Sequence, residues 1–245
     1  MEVIYGRNPV YETLRASRRR IFRMLLSQRA EKKGRLLEIL QLCEQHSIPV
    51  EQVPRQRLDK LADGHQGVGL ETGVYVYSHV SEILQKANET GETAFILILD
   101  ALQDPQNLGT LLRTAEAAGV HGIILPARRA AAVTPAVVSA SSGASEHLLI
   151  AQANLAQTIN TLKREAVWVI GLERSPDALP PDGVLLDAPL ALVVGSEAKG
   201  MRPLVKKSCD QLMQLPMRGN VASLNAAVAG SIALYLALQR RAPAM

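Results

Sequence analysis

Three stretches of this 245-residue chain set polar side chains beside glycine and proline, the arrangement needed to hold a small ligand and act on it. The first runs from Asp100 to Arg113. Asp104-Pro105 reads as a turn, Asn107 as a cap for the next helix, and Leu108, Leu111, Leu112 and Ala115 share one helical face, so that Arg113 projects roughly opposite. An arginine so placed can meet a phosphate, a ribose or a neighbouring subunit. The second, Leu192 to Met201, is an apolar run broken at Gly195, with Gly195 and Gly200 bracketing Glu197. Glycines admit close approach of backbone to a ligand whose amino or hydroxyl groups the carboxylate would accept. The third, Leu215 to Gly230, places Ser223 and Asn225 at the start of a helix rich in small apolar residues. A helix start offers unsatisfied N–H groups, and an asparagine heading so apolar a helix argues for burial at an interface.

Familiar phosphate cradles are absent. Gly67-Val68-Gly69 lacks the third glycine of a dinucleotide fingerprint, and Gly195-Ser196-Glu197-Ala198-Lys199-Gly200 continues with Met201-Arg202 where a P-loop requires Lys-Ser/Thr. Taken singly, each stretch also reads as an ordinary capped helix or strand-turn-helix with a solvated charge.

The elements that must position these residues alternate. Ala94–Asp100, Gly122–Leu125, Ala166–Gly171, Leu190–Gly195 and Gln211–Leu215 read as buried strands. Helical patterns fall between and after them at Leu108–Ala118, Leu155–Arg164, Met201–Ser208 and Ser223–Arg240. Continuous apolar strands alternating with helices predict a parallel α/β sheet, and all three polar stretches lie at strand carboxyl ends, where such sheets bind ligands. The first 76 residues read as a smaller α/β unit: strands at Ile21–Leu26 and Pro49–Val53, an amphipathic helix at Lys33–His46, a short helix, a glycine-rich turn at His65–Gly69 and a strand at Gly73–Val76. A polar stretch over 77–93 reads as a linker or linker-helix, leaving 94–245 as the larger domain.

Composition narrows the function. Aromatic residues are only 3%, which disfavours a nucleic-acid face built from stacked rings. The net charge is +4, and arginine and lysine crowd the first 60 residues, among them Arg7, Arg18, Arg19, Arg20, Arg29 and Arg55, a footprint suited to phosphates. Cys43 and Cys209 lie far apart, without a CxxC, and the histidines show no HxxxH or HExxH spacing, so neither a disulfide framework nor a metal site is expected. No signal peptide opens the chain, and the longest apolar run, Leu224–Leu238, is too short for a bilayer. A soluble, cytoplasmic protein is expected.

In order and spacing, the three stretches resemble the motifs of the SpoU (TrmH-like) RNA ribose 2′-O-methyltransferases of the SPOUT superfamily: N-x-G-x-x-x-R-T at 107–114, G-[ST]-E-x-x-G-M at 195–201 and L-P-M-x-G-x-x-x-S-L-N at 215–225. The nearest likeness is to the RlmB-like branch acting on large-subunit ribosomal RNA. Tyr5-Gly6-Arg7-Asn8-Pro9-Val10 and His65-Gln66-Gly67-Val68 are similar to that branch's substrate-binding domain.

The resemblance implies several things together. The fold would be an α/β SPOUT domain whose last part forms a trefoil knot, an exception to the general rule against knots, joined to an N-terminal RNA-binding domain. The cofactor would be S-adenosylmethionine, held by Gly171, Leu172, Gly195, Gly200, Leu215, Met217 and Leu224, largely through backbone. The polar catalytic set would be Asn107, Arg113, Glu197, Ser223 and Asn225. The substrate would be RNA, a guanosine of large-subunit ribosomal RNA, and the assembly a homodimer through the C-terminal helix, with no metal. The alternatives are the same reaction on transfer RNA, a non-catalytic RNA-binding or ribosome-assembly protein that keeps the fold, and a generic small-molecule α/β enzyme. That last reading leaves the arginine-rich start unexplained.

Overall fold

The structure, a computed structural model, describes residues 1–127, 131–196, 199–221 and 223–241. It divides into two compact units, one of residues 1–76 with 132–147, the other of 77–131 with 148–245.

The second unit carries a six-stranded sheet ordered β10-β8-β9-β5-β6-β7, with β5 at Phe95–Leu99, β6 at Gly122–Pro126, β7 at Leu149–Ala153, β8 at Trp168–Leu172, β9 at Leu190–Val194 and β10 at Gln211–Met213. Every neighbouring pair is parallel. Strands β5 and β9 are buried along their whole length, as uninterrupted apolar runs require when helices cover both faces. A buried leucine, isoleucine or valine in such a strand contributes roughly 1.5–3 kcal/mol. Helix α4 (Val80–Thr90) delivers Ile83 into this core, and Gly122 makes room for it: a Cβ there would lie 2.5 Å from Ile83. Helix α7 (Leu155–Arg164) buries Leu155, Ile159 and Leu162, one face at helical spacing, and starts at Asn154, whose side chain accepts from the Gln157 amide. Helix α5 (Pro105–Ala117) and the closing helix α9 (Ala226–Arg241) pack together, with Gly230 close against Leu111.

The first unit holds a four-stranded sheet, β1-β4-β2-β3: β1 at Glu2–Tyr5, β2 at Ile21–Ser27, β3 at Val50–Val53 and β4 at Val68–Thr72. Strand β4 runs antiparallel to β1 and β2, whereas β2 and β3 are parallel. Helices α1 (Arg7–Ala16), α2 (Arg35–Gln45) and α3 (Arg55–Asp59) come after β1, β2 and β3 in turn.

The structure departs from several sequence expectations. The strand expected at Gly73–Val76 is instead β4, whose Glu71 is buried against Arg23 at 2.6 Å; a charged residue inside the strand masked its apolar pattern. Residues 77–93 do carry a helix, α4, but it sits in the second core and does not act as a linker. Residues 132–147, carrying helix α6 (Pro135–Ala140), belong to the first unit rather than to 94–245. There the fully buried Glu146 meets Arg19 through two 2.8 Å bonds, and Arg19 also reaches Glu2 at 2.6 Å. Burial opposes the charge on Arg19, but the two carboxylates outweigh it and hold its pKa above the usual arginine value. Strands β1 and β7 and helices α1 and α6 were not foreseen. Among the described residues no helix is long and apolar enough to cross a membrane.

Candidate active site

Because the large sheet is wholly parallel, the carboxyl ends of β8, β9 and β10 open at one edge, and the segments leaving them meet there. The turn after β9 closes on itself, Ser196 and Gly200 exchanging backbone hydrogen bonds of 3.1 and 2.9 Å. Two carboxylates brace the end of this turn. Asp100, fully buried at the end of β5, accepts from the backbone N–H and the Nε of Arg202, both at 2.7 Å. Glu173, just beyond β8, accepts from the Met201 N–H at 2.9 Å and from Lys206 Nζ at 2.5 Å. Two independent anchors on adjacent residues leave the segment from Gly200 to Arg202 little freedom. Gly200 sits at φ 63°, in the left-handed region, and a Cβ there would lie 2.7 Å from Glu173 Oε2.

Between these segments lies a cavity of about 330 Å³, walled by Leu172, Val194, Leu215, Met217, Leu224, Ala226 and Ala229, with Glu173, Arg174, Ser196, Lys199, Gln214 and Ser223 adding polar groups. Its size and largely apolar lining with a few polar groups suit a small organic ligand. Gly195 forms part of the wall, and a side chain there would collide with the Gly200–Met201 peptide, its Cβ only 2.7 Å from the Gly200 carbonyl oxygen. An apolar slot of this kind takes an adenine ring, backbone groups can bond its edge, and the charged groups suit the ammonium and carboxylate ends of an amino acid. The residues present therefore fit S-adenosylmethionine.

Six of the seven residues expected around the cofactor line this cavity: Leu172, Gly195, Gly200, Leu215, Met217 and Leu224. Gly171 does not. It is buried in β8, where a Cβ would strike Met201 and Leu212, so its small size serves packing. Of the polar set, Ser223 lines the cavity. Asn225 Nδ2 donates to Asn107 Oδ1 at 3.1 Å, joining the starts of α9 and α5, while Asn225 Oδ1 accepts from the Ala227 and Val228 amides and caps α9. Arg113 stands on the exposed face of α5, about 9 Å along the axis from Asn107 at 1.5 Å per residue, and is not among the lining residues. Glu197 lies outside the described residues.

Two local readings change. Asp104, not Asn107, caps α5, its carboxylate accepting from the Gln106 and Asn107 amides, with Pro105 in the first turn. Asn107 is thereby released to bond Asn225. Ser223 precedes α9 instead of opening it. Sequence reasoning missed Glu173, Arg174, Lys199 and Gln214 in the wall, and the Asp100–Arg202 brace. The signals on offer were a carboxylate ending a wholly apolar run and an acid–base pair directly after an apolar strand.

Comparison with known proteins agrees with this geometry. Residues 94–235 match the SpoU rRNA Methylase family, and residues 3–78 match the domain described as RNA 2′-O ribose methyltransferase substrate binding. The chain is 42% identical over 246 residues to the Bacillus subtilis (strain 168) protein YacO, a name given with TrmH family tRNA/rRNA methyltransferase, covering 99% of this chain and 97% of that one. It is 41% identical over 243 residues to a Staphylococcus saprophyticus protein named for the same family, covering 98% and 96%. Among solved structures, the SpoU methyltransferase AviRb of Streptomyces viridochromogenes, in complex with AdoMet, superposes with a TM-score of 0.81 at 22% identity, over 98% of this chain and 89% of that one. An AdoMet-bound rRNA methyltransferase from Sinorhizobium meliloti gives 0.77 at 23%, over 99% and 88%; at such identities the likeness is one of fold. With relatives above 40% identity along nearly its whole length and both family domains in place, the chain belongs to the SpoU (TrmH-like) family of S-adenosylmethionine-dependent RNA methyltransferases.

Proposed function

We propose that this protein methylates a ribose 2′-hydroxyl of RNA, a guanosine in large-subunit ribosomal RNA, in the cytoplasm and as a homodimer. The observation that carries the reading is the cavity at the ends of β8, β9 and β10, with Gly195 and Gly200 in its wall and Ser223 at its lining. When bound there, S-adenosylmethionine supplies a methyl group already activated on a sulfonium. The chain's task is then to align a hydroxyl with that methyl and manage its proton. Leu172, Gly195, Gly200, Leu215, Met217 and Leu224 hold the cofactor. Asn225, fixed by its bond to Asn107, orients the start of α9 beside it. Arg113 stabilises the developing alkoxide and the adjoining phosphate. A guanidinium does not serve as a base in proteins, so a water or a phosphate oxygen takes the proton. Glu197 completes the polar set by its place in the motif.

Ribosomal RNA as substrate is supported by the description of the matching family and by the basic first unit. The dimer is supported by α9, where Val228, Ile232 and Tyr235 stay 41–47% exposed on one face of an otherwise apolar helix. A trefoil knot in the last part of the chain completes the reading. The test is transfer of labelled methyl from S-adenosylmethionine to purified ribosomal and transfer RNA, with 2′-O-methyl marks then mapped. Label on a large-subunit guanosine is expected; label confined to transfer RNA, or none, would refute it.

A further inference from the structure

The cofactor cavity carries a pair of hydrogen-bond acceptors that lie outside all three motifs. Strands β8 and β10 run parallel with Leu172 opposite Met213, so the next residue on each, Glu173 and Gln214, stand opposite one another. The Glu173 N–H donates to the Met213 carbonyl at 3.0 Å, which carries the register past the strand ends. Neighbouring strands lie about 4.8 Å apart, and both residues line the cavity. The pair thus occupies the carboxyl ends of adjacent parallel strands, where α/β sheets take ligands.

Each side chain is pinned by its other contacts. The Gln214 N–H donates to the Leu179 carbonyl at 2.9 Å, and its Nε2 donates to the Ala178 carbonyl at 3.1 Å. A carbonyl only accepts, so the amide's orientation is fixed. Its Oε1, with no hydrogen bond among the described residues, is what Gln214 offers a ligand. Glu173 takes the Met201 N–H on one oxygen and Lys206 on the other. A carboxylate accepts at about four sites, so each oxygen keeps capacity for a further donor. Lys206 already matches the charge of Glu173, and Arg174 and Lys199 add further cations to the wall. The cofactor's ammonium therefore gains little beside this pair, whereas uncharged donors fit it. Two neighbouring acceptors match two neighbouring hydroxyls, and S-adenosylmethionine carries such a pair on its ribose. Its adenine presents one amino nitrogen, and the ring suits the apolar wall.

We propose that Glu173 and Gln214 clasp the ribose diol of the cofactor, each accepting from one hydroxyl, an assignment that rests on the cavity being the S-adenosylmethionine site. The clasp selects a ribonucleoside over its deoxy counterparts, because a deoxy ligand leaves a desolvated acceptor without its donor.

Calorimetric titration of the full chain tests this with S-adenosylmethionine, S-adenosylhomocysteine, which keeps the same diol, and the 2′-deoxy and 3′-deoxy forms of the latter. Wild type should bind each deoxy form about 3- to 10-fold more weakly than S-adenosylhomocysteine, the span for one hydrogen bond. In Gln214→Met one of these two penalties should vanish, and in Glu173→Gln the other should shrink. A purely structural role would lower every affinity alike and leave both penalties in place, and that result overturns the clasp. So does a wild type indifferent to the loss of either hydroxyl, a result independent of how the variants fold. Wild type that takes up neither S-adenosylmethionine nor S-adenosylhomocysteine removes the cofactor site itself, and the clasp with it.

Discussion

At the residue scale, Arg113 and Gly195 offer sharp tests because their proposed roles are separable. Arg113 stands outside the cofactor cavity, so Arg113→Lys should leave S-adenosylmethionine affinity unchanged. Turnover should fall by roughly 10²–10³-fold, the range for removing one donor to a developing oxyanion, because a lysine cannot reproduce the planar fork. Single-turnover kinetics with a calorimetric binding control would check this, and near-normal turnover would refute the role. Gly195→Ala acts oppositely. The added methyl meets the Gly200–Met201 backbone, which Asp100 and Glu173 hold in place, and overpacking of this kind costs about 1–3 kcal/mol. Cofactor affinity should drop about tenfold or more, read by calorimetry.

At the element scale, β5 and β6 are tied where they begin. The Phe95 N–H donates to His121 Nδ1 at 3.0 Å, and the His121 N–H donates to the Phe95 carbonyl at 2.8 Å. Burial lowers the His121 pKa below its ordinary 6.5, and Glu92 at 3.2 Å does not compensate. Below pH 6.5 the unfolded chain therefore binds a proton that the folded one resists. This histidine's contribution is present above that pH and is lost as pH falls through the folded value. The midpoint of urea unfolding should decline as pH falls below about 6.5, and His121→Asn, which can still accept from the Phe95 amide, should flatten that decline. An identical pH profile in the variant would show that His121 is not responsible. Arg19 with Glu2 and Glu146 illustrates the complementary case, a buried charge kept by two partners.

At the scale of the whole molecule, the chain enters the first unit twice. Residues 1–76 lack Glu146, Val137 and Val138, all of them buried, and without Glu146 the buried Arg19 loses its bidentate partner. Removing one member of a buried pair costs roughly 3–5 kcal/mol, a large part of a small domain's stability. A polypeptide ending at Val76 should fail to unfold cooperatively by circular dichroism, and supplying residues 132–147 in the same chain should restore the transition. A cooperative 1–76 fragment would contradict this. For the proposed dimer, Ile232→Glu places a charge on the apolar face of α9 and should yield monomer by light scattering, with the fold retained because Ile232 is already half exposed.

Periodicity was enough to indicate the parallel sheet and helix α7, because apolar runs that must be buried on both faces are short-range patterns, and the family resemblance pointed to seven of the fifteen residues that line the cavity. Glu173, Asp100 and Arg202 escaped that reading, since what makes each matter is a partner many residues away that only the folded chain brings within 3 Å. Asn107 shows the same division. Its place beside a helix start was legible, yet Asp104 takes the capping bonds and α9 supplies Asn225 as its partner. Residues 132–147 read as part of the larger domain because they lie within its span of sequence, and a bond between Arg19 and Glu146 leaves no local trace. Local propensity comes from neighbours in sequence; ownership of a segment by one core or another is decided by which buried groups it satisfies.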